Sequence, residues 1–427
     1  MFTLPPALAH ADFRRLWLSI LCSGLALQMA QVAIGWQVYT IHHSAFDLGL
    51  IGLAEFVPVP LLALPAGSLA DRVSRVQLVM LWGLADAVVV ALLLLVTIQG
   101  ANLLWEFIAL AALTGTLSAV GNPAARSLTP EIVPLDMLNG AIALRSIAGE
   151  VSTIGGPALG GLLFAVRPES VYAAGIGLLL ASSFVLLPVT RLPPTPKDQL
   201  QPQSLMTLLA GIRFIRETKV LLGAITLDLF AVLFGGAVAL LPLFAKSKLH
   251  TGPAGLGVLR SSIAVGALAA GIMLARKPLQ RHAGRTLLLV VGSFGVCMVV
   301  FGLSRSFWLS FAALAVSGFV DMFSMNIRSA TAAFATPNEL RGRVNAVEGV
   351  FIGASNELGA FESGAAAAIF GAVPAVVGGG VLTILLALVW PRVFPDLSHL
   401  DELSAASLRE VLPVGRAGPA SAPEPAD

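Results

Sequence analysis

Residues 67–75 read GSLADRVSR and lie between two long apolar runs, which we place near residues 47–69 and 76–98. An α-helix needs about 20 apolar residues to cross a bilayer, and each run is long enough to do so. Both runs are continuous and lack the ten-residue alternation that is typical of barrel strands. The stretch therefore predicts two transmembrane helices joined by a short basic loop.

The same apolar pattern extends along the whole chain of 427 residues. Only 12% of these residues are charged, whereas soluble domains contain about 25%. We therefore predict an all-α integral membrane protein with twelve transmembrane helices. The predicted spans lie near residues 16–40, 47–69, 76–98, 103–124, 137–165, 169–190, 219–244, 251–275, 286–304, 306–333, 345–371 and 373–392.

Lysine and arginine residues are divided unequally between the two sets of loops. If the N-terminus is cytoplasmic, 19 of them fall on the cytoplasmic side and four on the opposite side. Loops with an excess of positive charge stay in the cytoplasm during insertion. The charge distribution therefore predicts that both termini are cytoplasmic.

The longest break between predicted spans divides the chain into two groups of six helices. It begins with a proline-rich stretch, RLPPTPKDQLQPQ, and continues into an amphipathic segment. Proline excludes a continuous helix in the first part, and the second part is typical of a helix that lies on a membrane surface. We expect this break to be a cytoplasmic linker.

The two groups of helices also repeat short sequences in register. Thr129-Pro130 recurs 207 positions later as Thr336-Pro337, and Leu48-Gly49 recurs as Leu256-Gly257. Such a repeat predicts two parallel six-helix halves with a substrate site between them. The predicted units are an N-terminal half over 1–190, a linker over 191–218, a C-terminal half over 219–394 and a disordered cytoplasmic tail over 395–427.

The loop at 67–75 resembles the signature of the major facilitator superfamily, G-x-L-a-D-r-x-g-r, with a serine replacing one glycine. In that superfamily the motif ties the cytoplasmic ends of the two halves together when the transporter faces outward. The resemblance implies a gate at this loop. The matched gate residues are Gly67, Asp71, Arg72 and Arg75, with Glu348 as the candidate acidic partner.

The fifth predicted span contains GGPALGG at residues 155–161. Its GPxxGG core resembles a motif of the superfamily's antiporters, in which the contact it makes restricts leakage. Proline bends such a helix, and glycine allows a neighbouring helix to approach closely. The matched residues are Gly156, Pro157, Gly160 and Gly161; Ser152 occupies a glycine position of the longer motif.

Five further segments resemble one branch of this superfamily, the enterobactin-exporter-like or transmembrane secretion effector group. The resemblance implies the superfamily fold, a rocker-switch mechanism and efflux from a bacterial inner membrane by a monomer. Many antiporters of the superfamily carry a mid-membrane arginine in the fourth span, where this chain has only Arg126 at the cytoplasmic end. The segments are FRRLW at 13–17, GWQVYTI at 35–41, SLTPEIVP at 127–134, RGRVNAV at 341–347 and SNELGAFESG at 355–364.

Charged residues inside the predicted spans are candidate coupling or substrate-binding groups. Each one costs about 2.5–3.5 kcal/mol at the centre of an inserted helix, so it normally faces a cavity or a partner. A buried carboxyl without a partner can take up and release a proton near neutral pH. The candidates are Asp228, Glu357, Glu150, Asp321, Arg328 and Glu55.

Among these candidates we rank Asp228 first for proton coupling, because no base lies within two turns on its own helix, although a neighbouring helix could supply one. Glu357 and Glu150 follow. Asp321 is ranked last, because Arg328 lies two turns away on the same helix.

Two other intramembrane acids are expected to contribute less to coupling. Asp86 lies on the third span, which is peripheral in this superfamily, and we expect it to have a structural role. Glu55 is expected nearer the outer face of the bilayer than the four ranked acids.

These features favour a secondary exporter of small amphipathic molecules, drug-like or siderophore-like, in exchange for protons. A phosphate-binding GxxxxGK[ST] motif is absent from the sequence, so ATP hydrolysis by that motif is not expected, and the proton gradient would supply the energy without a cofactor. A metabolite importer and a lipid flippase remain open as alternatives. The six histidines lie in loops and tails, so we predict no catalytic or metal site, and no nucleic-acid partner.

Overall fold

The computed structural model describes residues 6–62, 74–100, 103–191, 205–277, 279, 281–398 and 400. Each of the twelve predicted spans corresponds to a helix in these ranges, which confirms the predicted fold class. The helices are α1 (Ala11–His42), α2 (Ala45–Leu62), α3 (Arg75–Ile98), α4 (Leu104–Ile132), α5 (Leu138–Val166), α6 (Pro168–Val189), α7 (Lys219–Lys248), α8 (Pro253–Arg276), α9 (Ala283–Leu303), α10 (Phe307–Ala335), α11 (Asn338–Phe370) and α12 (Ala372–Val393).

One of these helices differs from the others in composition. Within the described ranges, eleven helices are long and apolar enough to cross a membrane, and α11 is not among them. Its 33 residues exceed the length of a span, but it carries Glu348, Glu357 and Glu362. Because α11 packs against α2, α7 and α12, protein surrounds much of its surface, and polar side chains are tolerated there.

The same packing order occurs in both halves of the chain. In α1–α6, the first helix packs along the fifth, the second along the fourth, and the third along the sixth. In α7–α12, the corresponding pairs are α7 with α11, α8 with α10, and α9 with α12. An internally repeated transporter has this arrangement.

Glycine allows direct backbone contact between the paired helices. A side chain at Gly266 on α8 would overlap the carbonyl oxygen of Ala315 on α10, and one at Gly318 would overlap that of Ile263. Gly115 on α4 makes the equivalent contact with the carbonyl of Glu55 on α2. Small residues at these positions permit the close approach that gives helices in lipid most of their packing energy.

Helix α7 is not a continuous α-helix, contrary to the prediction over 219–244. The regular part ends at Gly235, and Gly236 is extended with φ −75° and ψ 97°. Ser363 on α11 donates a hydrogen bond of 2.7 Å to the carbonyl oxygen of Gly236, which satisfies a backbone group that the break leaves free. The break brings residues from both of its sides to the centre of the bundle.

The linker region contains a helix, Leu205–Glu217, which packs against α11. Phe214 and Ile215 are buried in this contact, while Arg213 and Glu217 form an ion pair on the outside. The proline-rich start of the linker lies outside the described residues. The predicted disordered tail over 395–427 is wrong at its start, because Pro395–Ser398 form a short helix whose Leu397 is buried; the tail beyond Leu400 lies outside the described residues.

The α8–α10 contact predicts a specific loss of stability. Gly266→Ala should lower the free energy of unfolding by about 1–3 kcal/mol, because the added methyl group overlaps a backbone carbonyl. Gly349→Ala is the matched control, since a Cβ at that helical position would meet no atom within 4 Å. Thermal unfolding in detergent checks both variants, and equal stability of the two would contradict this packing.

Candidate functional site

Within the described ranges, the strongest contacts between the two halves of the bundle lie at one end. We call the end that holds the first residues of α1 and the last residues of α12 the near end, and the opposite end the far end. At the far end, α5 crosses α8 and α2 crosses α11, and these two crossings relate the halves symmetrically. They therefore close the far end of the bundle.

Backbone contacts between glycines produce this closure. Gly161 on α5 lies against Pro253 and Gly257 on α8, and neither glycine position has room for a Cβ. On the other side, a Cβ at Gly364 would lie 2.8 Å from the carbonyl oxygen of Ala45. Larger residues at these positions would hold the helices apart.

Side chains add to the far-end closure. The Tyr39 hydroxyl of α1 is hydrogen-bonded to the Ser247 hydroxyl of α7 at 2.7 Å. The rings of Phe46 on α2 and Phe361 on α11 lie 5.8 Å apart. Ser261 on α8 donates a 2.6 Å hydrogen bond to a backbone carbonyl of α5.

The near end lacks comparable contacts in the parts of α5 and α11 that approach it. A Cβ at Gly149 on α5 would meet no atom within 4 Å, and the same holds for Gly349 and Gly353 on α11. These helices are the ones that touch the opposite half at the far end. The described bundle is therefore closed at the far end and open at the near end.

The helix-5 motif lies where α5 is held between α1 and α8. A Cβ at Gly156 would meet Gln28 of α1 at 2.5 Å, and one at Gly160 would meet the backbone of Met29 at 2.8 Å. Gly161 and the carbonyl of Pro157 face α8 instead. Each glycine in the matched core thus faces a neighbouring helix at close range.

A cavity of about 810 Å³ occupies the centre of the bundle between the halves. Most of its wall is apolar, with Trp82, Phe294 and Met298 among the larger side chains. Amide groups from both halves also line it, including Gln31 and Asn356. The charged residues in its wall are Glu55, Asp86, Arg260, Asp321 and Glu357.

Arg260 forms the centre of a charge cluster that crosses the interface. Its Nη2 donates a 2.7 Å hydrogen bond from α8 to the side-chain oxygen of Gln31 on α1. The guanidinium also interacts electrostatically with Glu55 on α2 and Glu357 on α11. Residues of both halves therefore share one positive charge.

Glycine also positions the Glu357 carboxylate. A Cβ at Gly52 on α2 would lie 3.2 Å from the Glu357 Oε2. The missing side chain lets this carboxylate lie against α2, one turn before Glu55. Since α2 starts at Ala45 and rises about 1.5 Å per residue, Glu55 lies about 15 Å from the far end. Counted in the same way from the far ends of their helices, Glu55 is ten residues in and Glu357 is thirteen, so Glu55 lies nearer that end, as expected, and both residues line the central cavity.

Asp228 has a base as its partner, which removes the reason for ranking it first. The Arg328 guanidinium of α10 contacts the Asp228 carboxylate of α7 at 2.8 Å, and both side chains are buried. A neighbouring helix supplies this base, and spacing along α7 alone gives no sign of it. Asp228 and Arg328 form a buried structural pair inside the C-terminal half.

The two remaining ranked acids and the candidate gate partner Glu348 occupy three different surroundings. Asp321 lines the cavity, and Glu348 is buried within electrostatic range of Arg328. Glu150 is half-buried on α5 and is not part of the cavity wall. Of the four acids ranked for coupling, the cavity therefore brings together Glu357 and Asp321.

The gate residues are only partly described. Gly67, Asp71 and Arg72 lie outside the described residues. Arg75 begins α3 and forms an ion pair with Glu131 at the end of α4, within its own half. A bond from Arg75 to Glu348 would join the halves at the near end, which is open here, so the latch stays a prediction.

For two residues, the sequence did not indicate a place in the wall of the central cavity. Asp86 was assigned a structural role because the third helix is peripheral in the superfamily, but it lines the cavity. Arg260 was visible only as a base in the eighth span, and nothing in its spacing linked it to Glu55 or Glu357. Within the described residues, no group of three His, Cys, Asp or Glu side chains could hold a metal ion.

The family of the chain follows from its match to a profile. The profile of the transmembrane secretion effector family matches residues 3–413. The chain belongs to that family. Two curated relatives are both named enterobactin exporter EntS. The one from Citrobacter koseri is 29% identical, covering 88% of this chain and 92% of its own. The one from Escherichia coli K12 is 26% identical, covering 92% and 94%.

Solved structures show the same fold in distant transporters. A bacterial homologue of the lysosomal transporter Spinster, inward-facing and unoccupied, superposes with a TM-score of 0.69 at 13% identity, covering 96% of this chain and 99% of the other. An inward-facing bacterial homologue of ferroportin gives 0.66 at 16% identity, covering 89% and 98%. This protein is thus a multi-pass membrane transporter with the major facilitator fold, in a family of transporters rather than enzymes.

The Asp228–Arg328 pair predicts a large effect of removing one partner. Arg328→Gln should lower the free energy of unfolding by about 3–5 kcal/mol, because it leaves a buried carboxylate without its base. The double variant Asp228→Asn with Arg328→Gln should recover most of this loss. Thermal unfolding of the purified variants decides the matter, and a single variant as stable as the double one would contradict the pairing.

Proposed function

We propose that this transporter is a proton-coupled exporter of small amphipathic organic molecules, including siderophore-like ones, that acts as a monomer by alternating access without a bound cofactor. The observation that carries this proposal is the central cavity, whose wall is shared by both halves and holds four acids with one arginine. A cavity that opens at one end while the other is closed suits transport by rocking of the halves.

The direction of opening follows from the proposed orientation. The near end holds the loops with most of the lysine and arginine, which favours the cytoplasmic side of a bacterial inner membrane. With this orientation, both termini are cytoplasmic and the open near end faces the cytoplasm. An exporter takes up its substrate from that side, so the described state is the loading state.

The cavity supports an amphipathic substrate. Its volume of about 810 Å³ is in the upper part of the range for organic ligands, about 300–1,000 Å³. The largely apolar wall suits a hydrophobic body, and Gln31 and Asn356 offer hydrogen-bonding groups. Relatives at 26–29% identity are named enterobactin exporters, which is why siderophore-like molecules are included.

The cluster around Arg260 gives the proposed route for coupling. Arg260 reaches Gln31 and Glu55 of the opposite half only while the far end is closed. When that end opens, α8 and α11 move away from α1 and α2, and Glu55 loses its base. Coupling is therefore assigned to Glu55 and Glu357 instead of Asp228.

Uptake into everted membrane vesicles tests the proposed direction and energy source. Energised everted vesicles containing the wild-type protein should accumulate enterobactin above the level in vesicles without it, and a protonophore should abolish the difference. A metabolite importer would not accumulate it in this orientation. A lipid flippase would instead move labelled phospholipid between leaflets. Either result would contradict the proposal.

Neutral variants test the coupling assignment. Glu55→Gln and Glu357→Gln should each abolish uphill uptake, because each removes one of the two carboxyls that interact with Arg260, while downhill movement continues. Glu362→Gln on the same helix is the matched control, because Glu362 is not part of the cavity wall. Uphill uptake by both cavity variants at the wild-type rate would refute this assignment.

A further inference from the structure

Helix α3 contributes a face to the central cavity. Its lining residues are Trp82, Asp86, Val89, Val90 and Leu93. These positions are spaced at i, i+4, i+7, i+8 and i+11, so they form one stripe along the helix. The cavity therefore extends sideways into the N-terminal half, up to a helix that the sequence predicted to be peripheral.

Glycines at two contacts set α3 in this position. The ring of Trp82 lies against Gly121 of α4, where any side chain would overlap the indole. On another side, Gly83 lies against the hydroxyl groups of Ser182 and Ser183 on α6. With α3 seated between α4 and α6, its Asp86 side chain is directed to the cavity wall.

Asp86 is buried and lacks a compensating base among the described residues. Only 2% of its surface is exposed, and its Oδ1 has no hydrogen-bond partner there. The Trp82 Nε1, one turn earlier, is also unpartnered and does not bond to it. The charged group that interacts with Asp86 is another acid, Glu55.

Other titratable groups on the helices around Asp86 lie away from it. Those of α4 are near the ends of that helix, and so is Glu169 of α6, while the Tyr172 hydroxyl donates to Gln37 at 2.9 Å. Arg75, at the start of α3 itself, is paired with Glu131. The α4 groups are Glu106, Arg126 and Glu131.

These surroundings distinguish Asp86 from the other buried aspartate. Asp228 is 5% exposed but has the Arg328 guanidinium at 2.8 Å. An ionised carboxylate in a low-dielectric site is costly unless a base or several hydrogen bonds compensate for it. Asp86 has neither, and a bound proton removes the charge. A buried carboxyl without a nearby base was expected at Asp228 from the sequence, and in the structure Asp86 is the residue with this property.

We propose that Asp86 is a proton-binding site of the transport cycle and holds its proton jointly with Glu55. This inference rests on the proposed proton-coupled function and adds a residue to it. Two carboxyls that interact electrostatically can share one proton, because the negative charge of one makes ionisation of the other costlier. The pair then carries one negative charge with the proton and two without it.

Movement of Arg260 links this pair to the opening of the far end. In the described state the guanidinium interacts electrostatically with Glu55. When the halves separate at the far end, Arg260 moves away, and a proton from the outer solution binds to the pair. When the far end closes again, Arg260 returns to Glu55, and the proton then leaves towards the near end; the described state, in which Asp86 is 2% exposed, precedes this release.

Carbodiimide labelling tests protonation of Asp86 directly in wild-type protein. Dicyclohexylcarbodiimide reacts with protonated carboxyls in apolar surroundings, and peptide mass spectrometry locates the product. Asp86 should be labelled at least about tenfold more than Asp228, because the carboxylate of Asp228 is engaged in an ion pair with the Arg328 guanidinium at 2.8 Å. Equal labelling of the two aspartates, or label on Asp228 alone, would overturn the proposal.

Transport by Asp86→Asn supplies the functional test. This neutral variant should lose uphill enterobactin uptake and its response to external pH, while downhill movement continues and thermal stability is unchanged or higher. Asp86→Glu should restore part of the pH response, which a purely structural role would not require. Glu106→Gln on α4, outside the cavity wall, is the control.

Different results would overturn the role of Asp86 and the proposed proton-coupled export. Normal uphill uptake by Asp86→Asn, with wild-type pH response, would overturn the role of Asp86 and leave proton-coupled export intact. Absence of proton-dependent uptake in the wild type would overturn the proposed function, while the labelling experiment would still decide whether Asp86 binds a proton.

Discussion

Backbone contact between the halves at the far end is the constraint on which the rest of the structure depends. Gly161 against Gly257, and Gly364 against Ala45, allow α5 to meet α8 and α2 to meet α11 without intervening side chains. Among the described residues these close backbone contacts lie at one end, and the parts of α5 and α11 near the other end have open space at Gly149, Gly349 and Gly353. The central cavity exists because the helices diverge from these two crossings.

The charge cluster depends on the same closure. Arg260 can hydrogen-bond Gln31 across the interface because α8 approaches α1 next to the glycine contacts, on the side towards the near end. Its charge is then shared with Glu55 and Glu357, one from each half. In the proposed transport cycle, a base that belongs to one half and interacts with acids of both halves has a different environment in each state. This dependence on conformation is what a coupling device requires.

The fold could be predicted from the sequence, but the residues that meet in the central cavity could not. Continuous apolar runs fix the number of spans, since lipid demands about 20 apolar residues for each, and the gate and helix-5 motifs indicate the superfamily. Pairing between helices distant in sequence is not encoded in spacing along either one. Asp228 was therefore ranked first although Arg328, 100 positions later, neutralises it. Asp86 was set aside because a generic position for the third helix does not reveal the glycines that bring it to the cavity.

The most direct measurement of the central claim is a cross-link across the far end. With Cys22 and Cys297 replaced by alanine, Tyr39→Cys and Ser247→Cys place thiols on α1 and α7, whose native side chains are hydrogen-bonded at 2.7 Å. A short bismaleimide that joins them should arrest transport, because the far end can no longer open. The same reagent should leave each single-cysteine variant active. Undiminished transport by the fully cross-linked protein would contradict alternating access through this closure.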